Sequence, residues 1–165
     1  MLGDFSGTDA AAIDAVVAPV TGTYLVLVSS FDSGFDGTGT YRLTMTKTPG
    51  PITVSAGDEG GALVTGVAHA GTIVQGDMDV WTLNAVAGQA ITLHLAETSE
   101  TDDFRPWIRV WGPNGSVLAS ISGLTVADVN AVVAPVTGTY LILVGSFDSG
   151  FDGTGTYTLT KLAPP

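Results

Sequence analysis

Residues 15–44 return almost unchanged at 131–160. AVVAPVTGTYLVLVSSFDSGFDGTGTYRLT recurs as AVVAPVTGTYLILVGSFDSGFDGTGTYTLT, with 27 of 30 positions identical at a spacing of 116 residues. Self-similarity at a fixed spacing marks a repeated structural unit. The match runs backwards more loosely, Leu2 against Leu118 and Ser6-Gly7 against Ser122-Gly123, so that Met1 stands where the second copy has Val117. This register predicts a C-terminal half-unit over 1–50 and a complete unit over 51–165, with Thr48-Pro49-Gly50-Pro51 between them. A half-unit is half a core, so residues 1–50 are expected to seek a complement.

The periodic segments are rich in Val, Ile, Thr and Tyr, and Gly, Pro, Asp and Asn interrupt them roughly every 8–12 residues. Strands are therefore expected near 52–55, 62–66, 71–75, 79–86, 90–97, 106–111, 116–121, 130–134, 138–147 and 155–162, and in the half-unit near 14–18, 22–31 and 39–47. The AAAIDAVVAP stretch at 10–19 comes closest to a helix, and Pro19 with the β-branched Val16 and Val17 argues against one. Alternation assigns faces. Ile91, Leu93 and Leu95 share one face of their strand, and Ile108 and Val110 share one face of theirs, with Trp107, Arg109 and Trp111 opposite. Pro113-Asn114-Gly115 reads as a turn. The fold class that follows is an all-β antiparallel sandwich, two sheets around one apolar layer.

Sixteen acidic residues against five basic ones give a net charge of −11. Such a surface repels phosphate backbones and anionic lipid, which argues against nucleic-acid and membrane partners and favours cations. With no cysteine, neither disulfides nor thiolate sites are available. There is no run of 18 apolar residues to span a bilayer, and no signal peptide is visible.

Laid out as strands, GDMDVWTLNAVAGQAITLHL, DDFRPWIRVWGPNGSVLAS and APVTGTYLILVGSFDSGFDGTGTYTLT together resemble the bacterial pre-peptidase C-terminal domain. The Asp-rich entry to a D-V-aromatic-T strand, the AGQ turn, the PNG hairpin and the closing GTY…GTGTYTL pair stand in that order. The resemblance covers about 51–165, and 1–50 resembles the same family's C-terminal strands. It implies a jelly-roll-like sandwich of the kind appended, often in tandem, to secreted peptidases and surface proteins, some of which bind calcium. Residues 121–128, ISGLTVAD, depart from the pattern: many members have an acidic loop here, and this chain has the single acid Asp128.

Two groups of carboxylates are candidates for a hard cation with oxygen ligands. The stronger is Asp77 and Asp79 with Glu97, Asp102 and Asp103, on the expectation that 79–86 and 90–97 form a hairpin that sets Glu97 beside Asp79. The weaker is the twice-repeated FDSGFDGTG loop, with Asp32 and Asp36 in one copy and Asp148 and Asp152 in the other; its alternative is a hairpin turn held by side-chain-to-backbone hydrogen bonds. Calcium is the implied cofactor. The outward Trp107, Arg109 and Trp111 suggest either a sugar-stacking platform for a glycan or a patch covered by a neighbouring repeat. No G-x-S-x-G elbow, H-E-x-x-H metal motif or phosphate-cradling loop is present.

The expectation is thus a non-catalytic, extracellular or cell-surface repeat serving as a spacer, adhesion or self-association module. Three fates are open to residues 1–50: a layer appended to a closed 51–165, closure on 51–116 as a permuted sandwich that releases the C-terminal strands, or pairing with another molecule. The expectation is the third, a homo-oligomer through the N-terminal strands. A carbohydrate-binding module is the alternative, with a hydrolase third.

Overall fold

In the computed structural model the described residues are 2–163 apart from 14, 15, 35, 49, 149 and 151, with side chains described for all of these but 100–102. Nine strands form in chain order: β1 (Gly60–Ala62), β2 (Ala68–Ile73), β3 (Asp79–Ala85), β4 (Ala90–Asp102), β5 (Pro106–Trp111), β6 (Val117–Ser122), β7 (Val126–Val133), β8 (Gly138–Ser146) and β9 (Thr154–Lys161). One sheet runs β1-β3-β8-β5-β6 and the other β2-β9-β4-β7. The β1–β3 pairing is parallel, and the other strand pairings are antiparallel. The fold is the expected all-β sandwich. No helix among the described residues is long and apolar enough to cross a membrane.

The core lies between the sheets and follows the alternation. Trp81, Leu83, Ile108, Val110, Ile142 and Val144 come from one side, and Ile91, Leu93, Leu95, Tyr157 and Leu159 meet them from the other. β8 reads YLILV without alternation because both its faces are covered, the signature of a central strand. Tyr140, Ile142 and Val144 enter the main core. Leu141 and Leu143 lie on the outer face with Val80 and Trp111, under Ile52 and Met78.

Two findings depart from expectation. β3 and β4, expected as a hairpin, belong to opposite sheets: β3 pairs with β1 and β8, and β4 with β7 and β9. Each strand carries one apolar face, and facing sheets bury both faces where one flat hairpin would leave them side by side. Second, no strand forms among the described residues of 1–50. A strand takes its hydrogen bonds from a neighbour, and the places that its repeated sequence would fill are held by β8 and β9.

Those two places are central. β8 lies between β3 and β5, and β9 lies between β2 and β4. Without them each sheet divides, so the last two strands close the unit.

Candidate cation site

At one end of the sandwich the parallel pairing of β1 with β3 aligns Gly60 with Val80. This brings the residues just before β1 alongside the start of β3. The result is a group of three carboxylates, Asp58, Asp77 and Asp79, each offering an oxygen within 4.8 Å of the others. Local turns place the first two: Asp58 N–H donates to the Ser55 carbonyl and Asp77 N–H to the Val74 carbonyl. Asp79 is placed by alternation, on the core face of β3 with Trp81 and Leu83.

Asp79 is fully buried, at 0% exposure. Its Oδ2 accepts a hydrogen bond from the Tyr157 hydroxyl, which in turn accepts one from the Trp81 indole N–H at 2.8 Å. Its Oδ1 is buried with no hydrogen-bond partner. Burial pushes the carboxyl from 3.8 up to about 8, against the Tyr157 hydrogen bond, and the charges of Asp77, Glu59 and Asp58 push the same way. Burial first, and then the Asp79 charge, hold the Tyr157 phenol well above its usual range.

Tyr157 reaches this position because Gly71 lies opposite it in the β2–β9 ladder. A Cβ at Gly71 would stand 2.3 Å from the Tyr157 ring. Asp77 is side-chain buried, and its Oδ1 lies 2.9 Å from Arg42 Nη1, without hydrogen-bond alignment. Arg42 is one of the three positions at which the repeats differ; the second copy has Thr158.

Of the stronger sequence candidates, Asp77 and Asp79 are brought together, and Asp58, which the sequence reading missed, completes the group. The missing signal was the parallel β1, since a three-residue strand of which two residues are Gly predicts no pairing partner. Glu97 stands in the other sheet, paired with Tyr157, its Oε2 buried with no hydrogen-bond partner. Asp103 has positive φ (40°) and pairs with Arg105 at 3.1 Å. The side chain of Asp102 lies outside the described residues.

The loop candidates do different work. Asp148 Oδ1 accepts the N–H groups of Gly150 and Asp152, and Oδ2 that of Gly153. Asp32 accepts those of Gly34, Asp36 and Gly37 in the same pattern. The Ser30 hydroxyl and these N–H groups hold the Asp32 carboxyl far below its usual value. At Asp148 burial works the other way, and the Ser146 hydroxyl with the loop N–H groups outweighs it. Asp152 is raised by its hydrogen bond with Asp148. These carboxylates hold their own loops.

The indole platform is not open. Trp111 is 9% exposed and Arg109 6%. The Arg109 guanidinium lies 4.0 Å from the centroid of Trp107, whose ring also packs on Phe147 at 5.2 Å and whose N–H donates to Ser120. Alternation put these three on one face correctly, but it did not show that Met78 and Ile52 pack over the Trp111 end of that face.

With this geometry in view, comparison with solved structures places the fold. The pre-peptidase C-terminal domain of a collagenase from Bacillus anthracis is similar over 63% of this chain and 95% of its own, with TM-score 0.50 and 19% identity. PliG from Aeromonas hydrophila, a periplasmic inhibitor of g-type lysozyme, is similar over 63% of this chain and 98% of its own, with TM-score 0.42 and 18% identity. CorA, a surface-associated copper-binding protein of Methylomicrobium album BG8, covers 65% and 98%, with TM-score 0.46 and 11% identity. The first of these carries the fold: the chain shares the fold of the pre-peptidase C-terminal domain. The sequence matches no family model and no curated protein.

Proposed function

We propose that the chain is a non-catalytic extracellular β-sandwich module, a spacer and self-association unit, stabilised by a calcium ion held by Asp58, Asp77 and Asp79. The observation that carries the cation is the buried Asp79 carboxylate, whose Oδ1 has no hydrogen-bond partner and which faces two further carboxylates. A charge so placed is costly unless protonated or met by a cation. Three carboxylates suit a hard cation that takes oxygen ligands. When bound, the ion offsets two of the three negative charges and ties the start of β3 to the turn before β1.

The fold, shared with the collagenase's pre-peptidase C-terminal domain, supports the module reading. Self-association is supported by the exposed apolar side chains Leu25, Val26, Leu27 and Val28.

Thermal unfolding at neutral pH tests the cation. Calcium at 100-fold over its Kd is expected to raise Tm by about 5 °C or more, chelator to reverse this, and Asp77→Asn to abolish it. A Tm indifferent to calcium and chelator in the wild-type chain overturns the reading.

A further inference from the structure

The chain carries the closing sequence twice, and the described residues form one set of places for it. We propose that residues 22–45 are a second ligand for the slot that β8 and β9 fill, and that they enter this slot in their own chain. This goes beyond the cation reading and does not depend on it.

The two pairs present the same core side chains in opposite states. Leu143 is 5% exposed and its counterpart Leu27 is 82%; Tyr157 is 0% and Tyr41 is 72%. Tyr140, Leu141, Val144 and Leu159 are likewise buried, and Tyr24, Leu25, Val28 and Leu43 exposed. The slot is built for this sequence, and this sequence occurs twice.

The three differences between the copies all fit. Val26 in place of Ile142 removes one methylene from the core, a preference of about fivefold for the resident strand. Ser29 in place of Gly145 places its Cβ 3.7 Å from the Asp77 carbonyl and 4.0 Å from Met78 Cγ, ordinary contacts. Arg42 in place of Thr158 falls between Ala70 and Ala96 on the half-exposed face of the second sheet, where a long side chain runs over small neighbours into solvent.

The connection also reaches. Lys161 bridges Thr65, and its carbonyl accepts the Gly66 N–H, so the end of β9 lies beside the residues just after β1. Met45 is the counterpart of Lys161, and 46–59 supply 14 residues to cover a gap that β1 and two further residues nearly span. The sandwich thereby closes as a circular permutation of itself, a rearrangement tolerated where the joined ends are close together. Whichever pair is in the slot, the other is left with its apolar residues outside.

The native chain has no cysteine, so a disulfide reports the exchange directly. Thr139 pairs with Asn84, their side chains 2.8 Å apart, and Thr23 is the counterpart of Thr139. In the full chain, Thr23→Cys with Asn84→Cys is given a brief oxidant pulse, against Thr139→Cys with Asn84→Cys as reference. The expected result is a cross-linked monomer at about one-fifth of the reference yield. Ile142→Val, which equalises the two core strands, is expected to raise that yield several-fold. A cross-linked dimer overturns the own-chain assignment in favour of a second copy's slot. No cross-link, with the reference pair forming normally, overturns the exchange itself.

Discussion

Asp79 concentrates the electrostatics of the molecule in one side chain. Its carboxyl titrates at about 8 in the folded chain against 3.8 ordinarily. Between those values the folded state holds one proton more than the unfolded, so stability falls as pH rises through this window. The cation-free protein is expected to melt higher at pH 5 than at pH 8. Asp79→Asn keeps an acceptor for Tyr157 but carries no charge, and is expected to flatten that dependence and raise Tm at pH 8 in chelator. A steeper loss of stability in the variant would show that the buried charge is not the cause. Calcium binding at pH 7 is expected to release about one proton, read as a dependence of the calorimetric binding enthalpy on the buffer's ionisation enthalpy. Asp79 was a candidate from sequence because acids cluster at GDMD. Its burial was not legible, since that depends on Tyr157 folding over Gly71 from a strand nearly eighty positions away.

At the level of elements, β5, β6, β8 and β9 were legible to within a residue from apolar runs against polar punctuation, whereas β4 runs five residues past its expected end and β7 starts four residues before its expected start. Pairing was less legible. β3 and β4 are separated by an AGQ turn that reads as a hairpin, yet the chain crosses there between sheets, and Gly88 N–H bonds to the Ala134 carbonyl. Short-range pattern gives the face of a strand but not its neighbour. β7 has a defect that pattern also missed: Ala131 has φ 50°, where its pairing with β4 shifts register. A residue with a Cβ in the left-handed region costs about 1–2 kcal/mol, so Ala131→Gly is expected to raise Tm by a few degrees. In β2 the opposite holds. Gly71→Ala drives a methyl into the Tyr157 ring, and an overpacking loss of about 1–3 kcal/mol is expected in chemical denaturation. Unchanged stability would mean that the Tyr157 ring has another place to go.

Over the whole molecule, one sequence exists in two states. In both copies the tyrosine hydroxyl donates to the carbonyl four residues back, Tyr24 to Val20 and Tyr140 to Val136. In both copies the first aspartate of the loop gathers three N–H groups. Amide exchange follows this division: residues 139–144 are expected to exchange more slowly than 23–28, by a factor of the order of the preference between the two copies, and full protection of both would place both copies in ladders at once. The sequence by itself determined everything whose bonds close within a few residues, the Asp-held loops and the tyrosine turns, together with the alternation that marks a strand's buried face. Only the tertiary structure decided which copy became strands, which acids met at the end of the sandwich, and that Met78 and Ile52 cover Trp111. A strand's hydrogen bonds and a buried side chain's contacts belong to partners far along the chain, so two nearly identical segments can differ in both.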